Sequence, residues 1–96
     1  PAVDAALYRI AQESLTNAVR HARGATRIGI EVRREGDAVR LRVTDDGRSS
    51  ATPTGTGFGL RGMGERVDLL GGSFTAGPAT GGGWLVEALL PAQGPA

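Results

Sequence analysis

The chain predicts an α+β fold, a two-layer α/β sandwich with two helices on one face of a mixed, mostly antiparallel sheet. Three features predict it. Apolar residues recur at helical spacing in two separate segments, two adjoining segments alternate strictly between apolar and polar, and a final apolar run has the length of a strand.

From about Asp4 to Arg23, Leu7, Ile10, Ala11, Leu15, Ala18 and Ala22 recur every three or four residues, which predicts a helix, and Gly24 supplies its stop. Ile28, Ile30 and Val32 then alternate with Gly29, Glu31 and Arg33. After Glu35-Gly36-Asp37 the alternation resumes as Val39, Leu41 and Val43 against Arg40 and Arg42, a hairpin with one buried face and one wet face. The second strand runs into Asp45-Asp46-Gly47, and the small polar residues from Arg48 to Gly55 predict a mobile loop. Leu60, Met63, Val67 and Leu70 mark a second helix ended by Gly71-Gly72, although Gly62 and Gly64 each cost about 1 kcal/mol against Ala. A strand from about Ser73 to Ala76, a turn at Gly77-Pro78-Ala79-Thr80 and a strand from about Gly82 to Leu90 complete the sheet. The last of these is so apolar from Trp84 to Leu90 that it reads as central. One domain over residues 1–91 is expected, with residues 92–96 a disordered tail.

Composition narrows the function classes. With 96 residues and 40% hydrophobic content, the chain can bury one core. It has no cysteine, which rules out disulfides and thiolate metal sites and suits a reducing cytoplasm. No apolar run approaches the roughly 20 residues of a membrane helix, so no direct membrane contact is expected. A net charge of only +1, scattered basic residues and few aromatics argue against a nucleic-acid partner. All eleven basic residues are Arg, which excludes the phosphate-binding Lys of a P-loop and the strand Lys of protein kinases. The chain opens on Pro1 and reads as a piece of something longer.

Three signals carry chemistry, and each has an ordinary explanation. Glu13, Asn17 and Arg20 fall within roughly 60° of one another on the first helix, with His21 at the edge, well over 90° from the apolar face. That stripe, expected to rim the core, offers a carboxylate, a hard-cation ligand and phosphate donors, but polar residues on a wet helix face are also the default. Asp45-Asp46-Gly47 is a common turn; it is equally a carboxylate for a ligand amino group, with Gly47 letting a flat ring lie on the backbone. Gly55, Gly57, Gly59 and Gly62 open the second helix, either as a connector or as amides that approach an anion closely. Residues 57–62 match G-x-G-x-x-G, yet no strand precedes them and no acidic residue follows at dinucleotide spacing.

Taken in order, the helix with Glu13-x-x-x-Asn17, the strand-end Asp45-x-Gly47, the small polar loop and the glycines opening a second helix resemble the ATP-binding catalytic domain of bacterial sensor histidine kinases. The stretches from Leu7 to Glu13 and from Gly59 to Arg66 are most similar to the branch paired with helix-turn-helix response regulators. This resemblance covers nearly the whole chain and implies a Bergerat ATP-binding fold. It implies that Asn17 ligates Mg²⁺, that Glu13 is catalytic, orienting a water or activating the phosphoacceptor, and that Arg20 and His21 reach the phosphates. Asp45 would take the adenine amino group beside Gly47, and Gly57 and Gly59, with Leu60 among the nucleotide contacts, would form the loop that closes over the triphosphate.

Two departures stand out. Ser49 replaces the second glycine usual in Asp-x-Gly-x-Gly, and Gly83 is followed by Trp84 where the family often has threonine, which leaves Thr80 or a water to supply that contact. The resemblance further implies ATP and Mg²⁺ as ligands, a histidine on a separate dimerisation domain of the same protein as acceptor, and a downstream response regulator. The isolated domain is expected to be a cytoplasmic monomer, whether or not its parent is membrane-anchored. Alternatives are a stand-alone ATPase or anti-sigma serine kinase of the same fold, or a degenerate interaction module that does not bind ATP.

Overall fold

In the computed structural model the chain runs α1 (Ala2–His21), β1 (Ile28–Glu35), β2 (Ala38–Asp45), α2 (Gly57–Leu69), β3 (Ser73–Pro78) and β4 (Trp84–Pro91). Residues 2–21, 24, 26–47 and 57–92 are described, apart from the side chains of residues 20, 21 and 57–61; the expected mobile loop and the end of the tail lie outside them. The strands form one sheet in the order β1-β2-β4-β3, and every pairing among the described residues is antiparallel. The apolar last strand is central, as its composition requires, and the helices pack on one face to give the α+β sandwich.

The core follows from the pleat. Leu41 sits opposite Ala88 and Val43 opposite Val86, so these residues share a face. Val3, Ala6 and Ile10 of α1 and Met63 and Val67 of α2 close over them, and Ile10, Leu41, Leu90 and Val67 are the largest fully buried side chains. Each such burial contributes about 1.5–3 kcal/mol. On the other face Arg40 bonds Glu35 at 2.9 Å, and Arg40 and Arg42 each reach Glu87 at 3.2 Å. Glu35 is held below its usual carboxylate range, first by its hydrogen bond from Arg40.

Local chemistry sets the ends. Gly36 has φ 62 at the first of two loop residues between β1 and β2, where the twist of a tight hairpin favours glycine. At the end of α2, Gly71 (φ 83) donates to Asp68 O at 3.0 Å and Gly72 to Val67 O at 2.9 Å, the paired bonds of a Schellman cap.

Three expectations shift. α1 begins at Ala2 and buries Val3, Ala6, Ile10, Ser14 and Ala18, while Leu15, Tyr8 and Val19 are 40%, 67% and 71% exposed. Three of these five buried residues, Ala6, Ser14 and Ala18, are small. Ile30 and Val32 stay exposed on the edge strand β1, whose Ile28 packs against the core. β3 also runs on through Pro78, which an edge strand tolerates, and the turn falls at residues 79–83.

Candidate functional site

Strand register gathers the expected residues at one end of the domain. Ile28, Asp45, Trp84 and Pro78 form a row across the sheet at that end. The C-terminal turns of α1 lead into Ile28, and α2, whose cap returns the chain to Ser73 at the opposite end, points its N-terminus back toward the row. Glu13 and Asn17 on α1, Asp45 and Gly47 after β2, and the first turn of α2 with Gly57, Gly59 and Leu60 therefore share one end. The glycines belong to the helix itself, where the first-turn amides lack intrahelical partners. Arg20 and His21 occupy the last residues of α1, their side chains outside the described set, as are the side chain of Leu60 and the expected lid residues.

The polar stripe of α1 does not simply rim the core. Asn17 is half-buried, and its Nδ2 is shut away from solvent with no hydrogen-bond partner. The helix is rotated from the orientation that its larger apolar residues would set, so at about 100° per residue Asn17 lies roughly 20° from Ile10, which is fully buried. Glu13 is half-buried beside it. Ser14, one turn before Asn17, is the other orphan: it is 3% exposed and its Oγ has no partner. Among the described residues these two are the only buried side-chain polar atoms left unpaired.

The two adjacent aspartates do different work. Asp46 Oδ1 accepts from the backbone N–H of Thr26 at 2.8 Å and of Arg27 at 3.0 Å, and its Oδ2 accepts from Thr26 Oγ1 at 2.5 Å. These bonds, that from the Thr26 hydroxyl first, lower its pKa from 3.8 to about 2. Asp46 thus ties the connection between α1 and β1 to the end of β2. Asp45 is half-buried, and by the pleat its side chain lies on the helix-facing side in the row with Ile28 and Trp84, both packed against the core. Its Oδ1 accepts from Gly47 N at 2.9 Å, so the turn reading holds, yet a carboxylate offers about four acceptor positions.

Gly83 is a site residue whose close packing the sequence does not reveal. Its φ is 85, and a Cβ there would overlap the carbonyl oxygen of Asp45, so this strand start presses directly on the Asp45 backbone. The run Gly81-Gly82-Gly83, all with positive φ, was the available signal. Trp84 packs against the core, and Thr80 is exposed in the turn. The arrangement sets a carboxylate at the end of β2, an unpaired amide and hydroxyl on α1, and the N-terminus of α2 toward one end of the sandwich.

Comparison with known proteins agrees with this geometry. Residues 2–94 match the family described as histidine kinase-, DNA gyrase B-, and HSP90-like ATPase. Sensor histidine kinase YxjM of Bacillus subtilis is 38% identical over 91 residues, covering 95% of this chain and 22% of that protein. Signal transduction histidine-protein kinase/phosphatase DegS of the same organism is 34% identical over 96 residues, covering 95% and 25%. The chain thus spans about a quarter of the length of these relatives. In fold it is similar to the Acinetobacter baumannii histidine kinase AdeS, with a TM-score of 0.73 at 18% identity over 91% of this chain and 46% of that one. It is also similar to the histidine kinase domain of the Erythrobacter litoralis EL346 blue-light activated kinase, with a TM-score of 0.68 at 23% identity over 88% and 42%. A match over nearly all its length, to a family whose fold it shares, shows that this chain belongs to the histidine kinase-, DNA gyrase B-, and HSP90-like ATPases.

Proposed function

We propose that the domain binds Mg-ATP and presents its γ-phosphate to a histidine on a separate dimerisation domain of a two-component sensor kinase. One observation carries the reading: a half-buried carboxylate, Asp45, and an unpaired buried amide, Asn17, at the same end of the sandwich. The family and the names of its relatives support it.

In this reading Asp45 accepts a hydrogen bond from the exocyclic amino group of adenine, and Gly47 brings the backbone against the ring. Asn17 would hold Mg²⁺ through its Oδ1, and its Nδ2, which has no partner in the fold, would donate to an oxygen of the nucleotide. Bound there, Mg²⁺ would supply neutralisation of phosphate charge. Arg20 and His21 reach the phosphates, the first-turn amides at Gly57, Gly59 and Leu60 favour their negative charge, and Glu13 orients a water or the acceptor. Phosphoryl transfer depends chiefly on such positioning and charge stabilisation.

His21 belongs to the nucleotide end and is not proposed as the acceptor, which is assigned to another part of the parent protein. A response regulator would take the phosphate next. In this reading the domain works in the cytoplasm, where ATP is, and is a monomer when isolated.

Titration of ATP with and without Mg²⁺ into the wild type and Asp45→Ala tests the reading. Hydrogen bonds to charged groups are worth about 1.5–3 kcal/mol, so the variant should bind roughly 10- to 100-fold more weakly while remaining folded. Equal affinity in both would remove the adenine assignment.

A further inference from the structure

β2 ends at Asp45, which faces Ile28 at the start of β1 and Trp84 at the start of β4, so it stands in the last row of the sheet on both sides. Chain ends fray, and a strand's final pair has ladder bonds on one side only. A carboxylate that must meet a ligand at a fixed place is poorly served by that position unless something beyond the row holds it.

Asp46 supplies the hold. Its carboxylate accepts from Thr26 N at 2.8 Å, Arg27 N at 3.0 Å and Thr26 Oγ1 at 2.5 Å, and its own N–H donates to Arg27 O at 3.3 Å. Four hydrogen bonds therefore join one residue after β2 to the two residues before β1. The register that sets Ile28 opposite Asp45 runs on through Arg27 and Asp46, so Asp45 is no longer the end of the join. On its far side Gly47 is buried and donates its N–H to Asp45 Oδ1 at 2.9 Å. Only one of the four clamp bonds comes from a donor side chain, the Thr26 hydroxyl. Thr26 and Asp46 are both exposed, and neither has a place among the nucleotide contacts assigned above.

We propose that Thr26 is a positioning residue, its hydroxyl acting through Asp46 to hold the strand end so that the Asp45 carboxylate is set before the ligand arrives. This role rests on the nucleotide reading and adds to it a part that touches no ligand. A ligand that meets a preset group does not have to order it on binding, and it binds more tightly for that reason.

The test compares wild type, Thr26→Val, which keeps the shape without the hydroxyl, and Thr26→Ser, which keeps the hydroxyl. ADP is titrated by calorimetry with and without Mg²⁺, and amide hydrogen exchange is followed by NMR with and without ADP. Thr26→Val should bind ADP about 2- to 4-fold more weakly, by the same factor with and without Mg²⁺, the size expected for one bond in an exposed clamp. Thr26→Ser should bind as the wild type does. Without nucleotide, the amides of Asp46 and Gly47 should exchange faster in Thr26→Val than in wild type while the middle of β1 and β2 is unchanged, and ADP should close most of that gap. Unchanged ADP affinity in Thr26→Val overturns the role of Thr26 and leaves the nucleotide reading standing. An equal loss in Thr26→Ser also overturns it, because the hydroxyl is still present, and so does a loss seen only with Mg²⁺, which would place the effect at the phosphates. Faster exchange spread evenly along β1 and β2 makes Thr26 a general stabiliser and overturns it as well. A wild type that binds neither ADP nor ATP overturns both readings.

Discussion

The two ends of the sheet are built to opposite rules. At the end holding the β1–β2 hairpin, Ala92 N donates to Asp37 O at 2.7 Å, the Schellman cap of α2 satisfies its last carbonyls, and Arg40 pairs with Glu35. At the other end Ser14 and Asn17 are buried and unpaired, and Asp45 stands on an otherwise apolar row. A shallow hollow lies at the first end, lined by Glu35, Asp37, Gly71, Leu89 and Pro91 among others. None of its lining side chains is a buried orphan. Concavity alone does not mark a site here; unmet hydrogen-bonding capacity does.

Substituting the glycines that press on the sheet at each end gives the largest expected effect. At Gly72 a Cβ would overlap Leu89 O and lie 2.9 Å from Leu90 Cδ2 and 3.0 Å from Val67 Cγ1. Gly72→Ala should cost about 1–3 kcal/mol by overpacking, a fall of about 4–8 °C in Tm for each kcal/mol, with nucleotide affinity of the folded protein unchanged. Gly83→Ala, which overlaps Asp45 O at a φ of 85, should lower Tm and nucleotide affinity together. Thermal melts paired with ADP titrations separate the two, and a Gly83 variant that binds ADP normally would erase the distinction between the ends.

Asn17→Ala isolates the open end without the closed one. Its Nδ2 has no partner to lose, so Tm without nucleotide should stay level or rise slightly. Affinity for Mg-ATP should fall about 10-fold or more, and much less for ATP without the metal, the removed contact being one to charged groups. A marked drop in Tm without nucleotide would make Asn17 a structural residue and blunt the contrast.

How much of this was legible in the sequence depends on the kind of signal. Alternation about Gly36 and the apolar run of β4 fixed the hairpin and the central strand, because a period of two has only two phases. Helical phase is softer. Leu15 counted toward the apolar face, yet packing buried Ser14 and left Leu15 partly exposed, and that rotation carried Asn17 inward. Asp45 and Gly47 were legible as a strand-end pair. Gly83 was not, because its constraint is the carbonyl of a residue 38 positions earlier, and distance along the chain hides such contacts. Thr26 and Arg27 as partners of Asp46 were hidden in the same way.

The smallest expected effect concerns that last pairing and is read with pH. Asp46 titrates at about 2 in the fold against 3.8 ordinarily, so the folded state holds its proton less tightly than the unfolded state does. The stability it contributes is therefore fully present above about pH 4 and is lost as pH falls toward 2. Urea midpoints of wild type and Asp46→Ala should lie apart at neutral pH and converge across that window, by a small amount because the pair is exposed to solvent. Glu35 is lowered in the same sense by Arg40, so Glu35→Ala should also flatten the acid limb. Only the Asp46 change should weaken ADP binding, and then by no more than a few-fold, because it loosens the connection beside Asp45 while Glu35 lies at the far end. A gap between wild type and Asp46→Ala that stays constant from neutral pH down to 2 would mean that Asp46 acts by its shape and not by its charge.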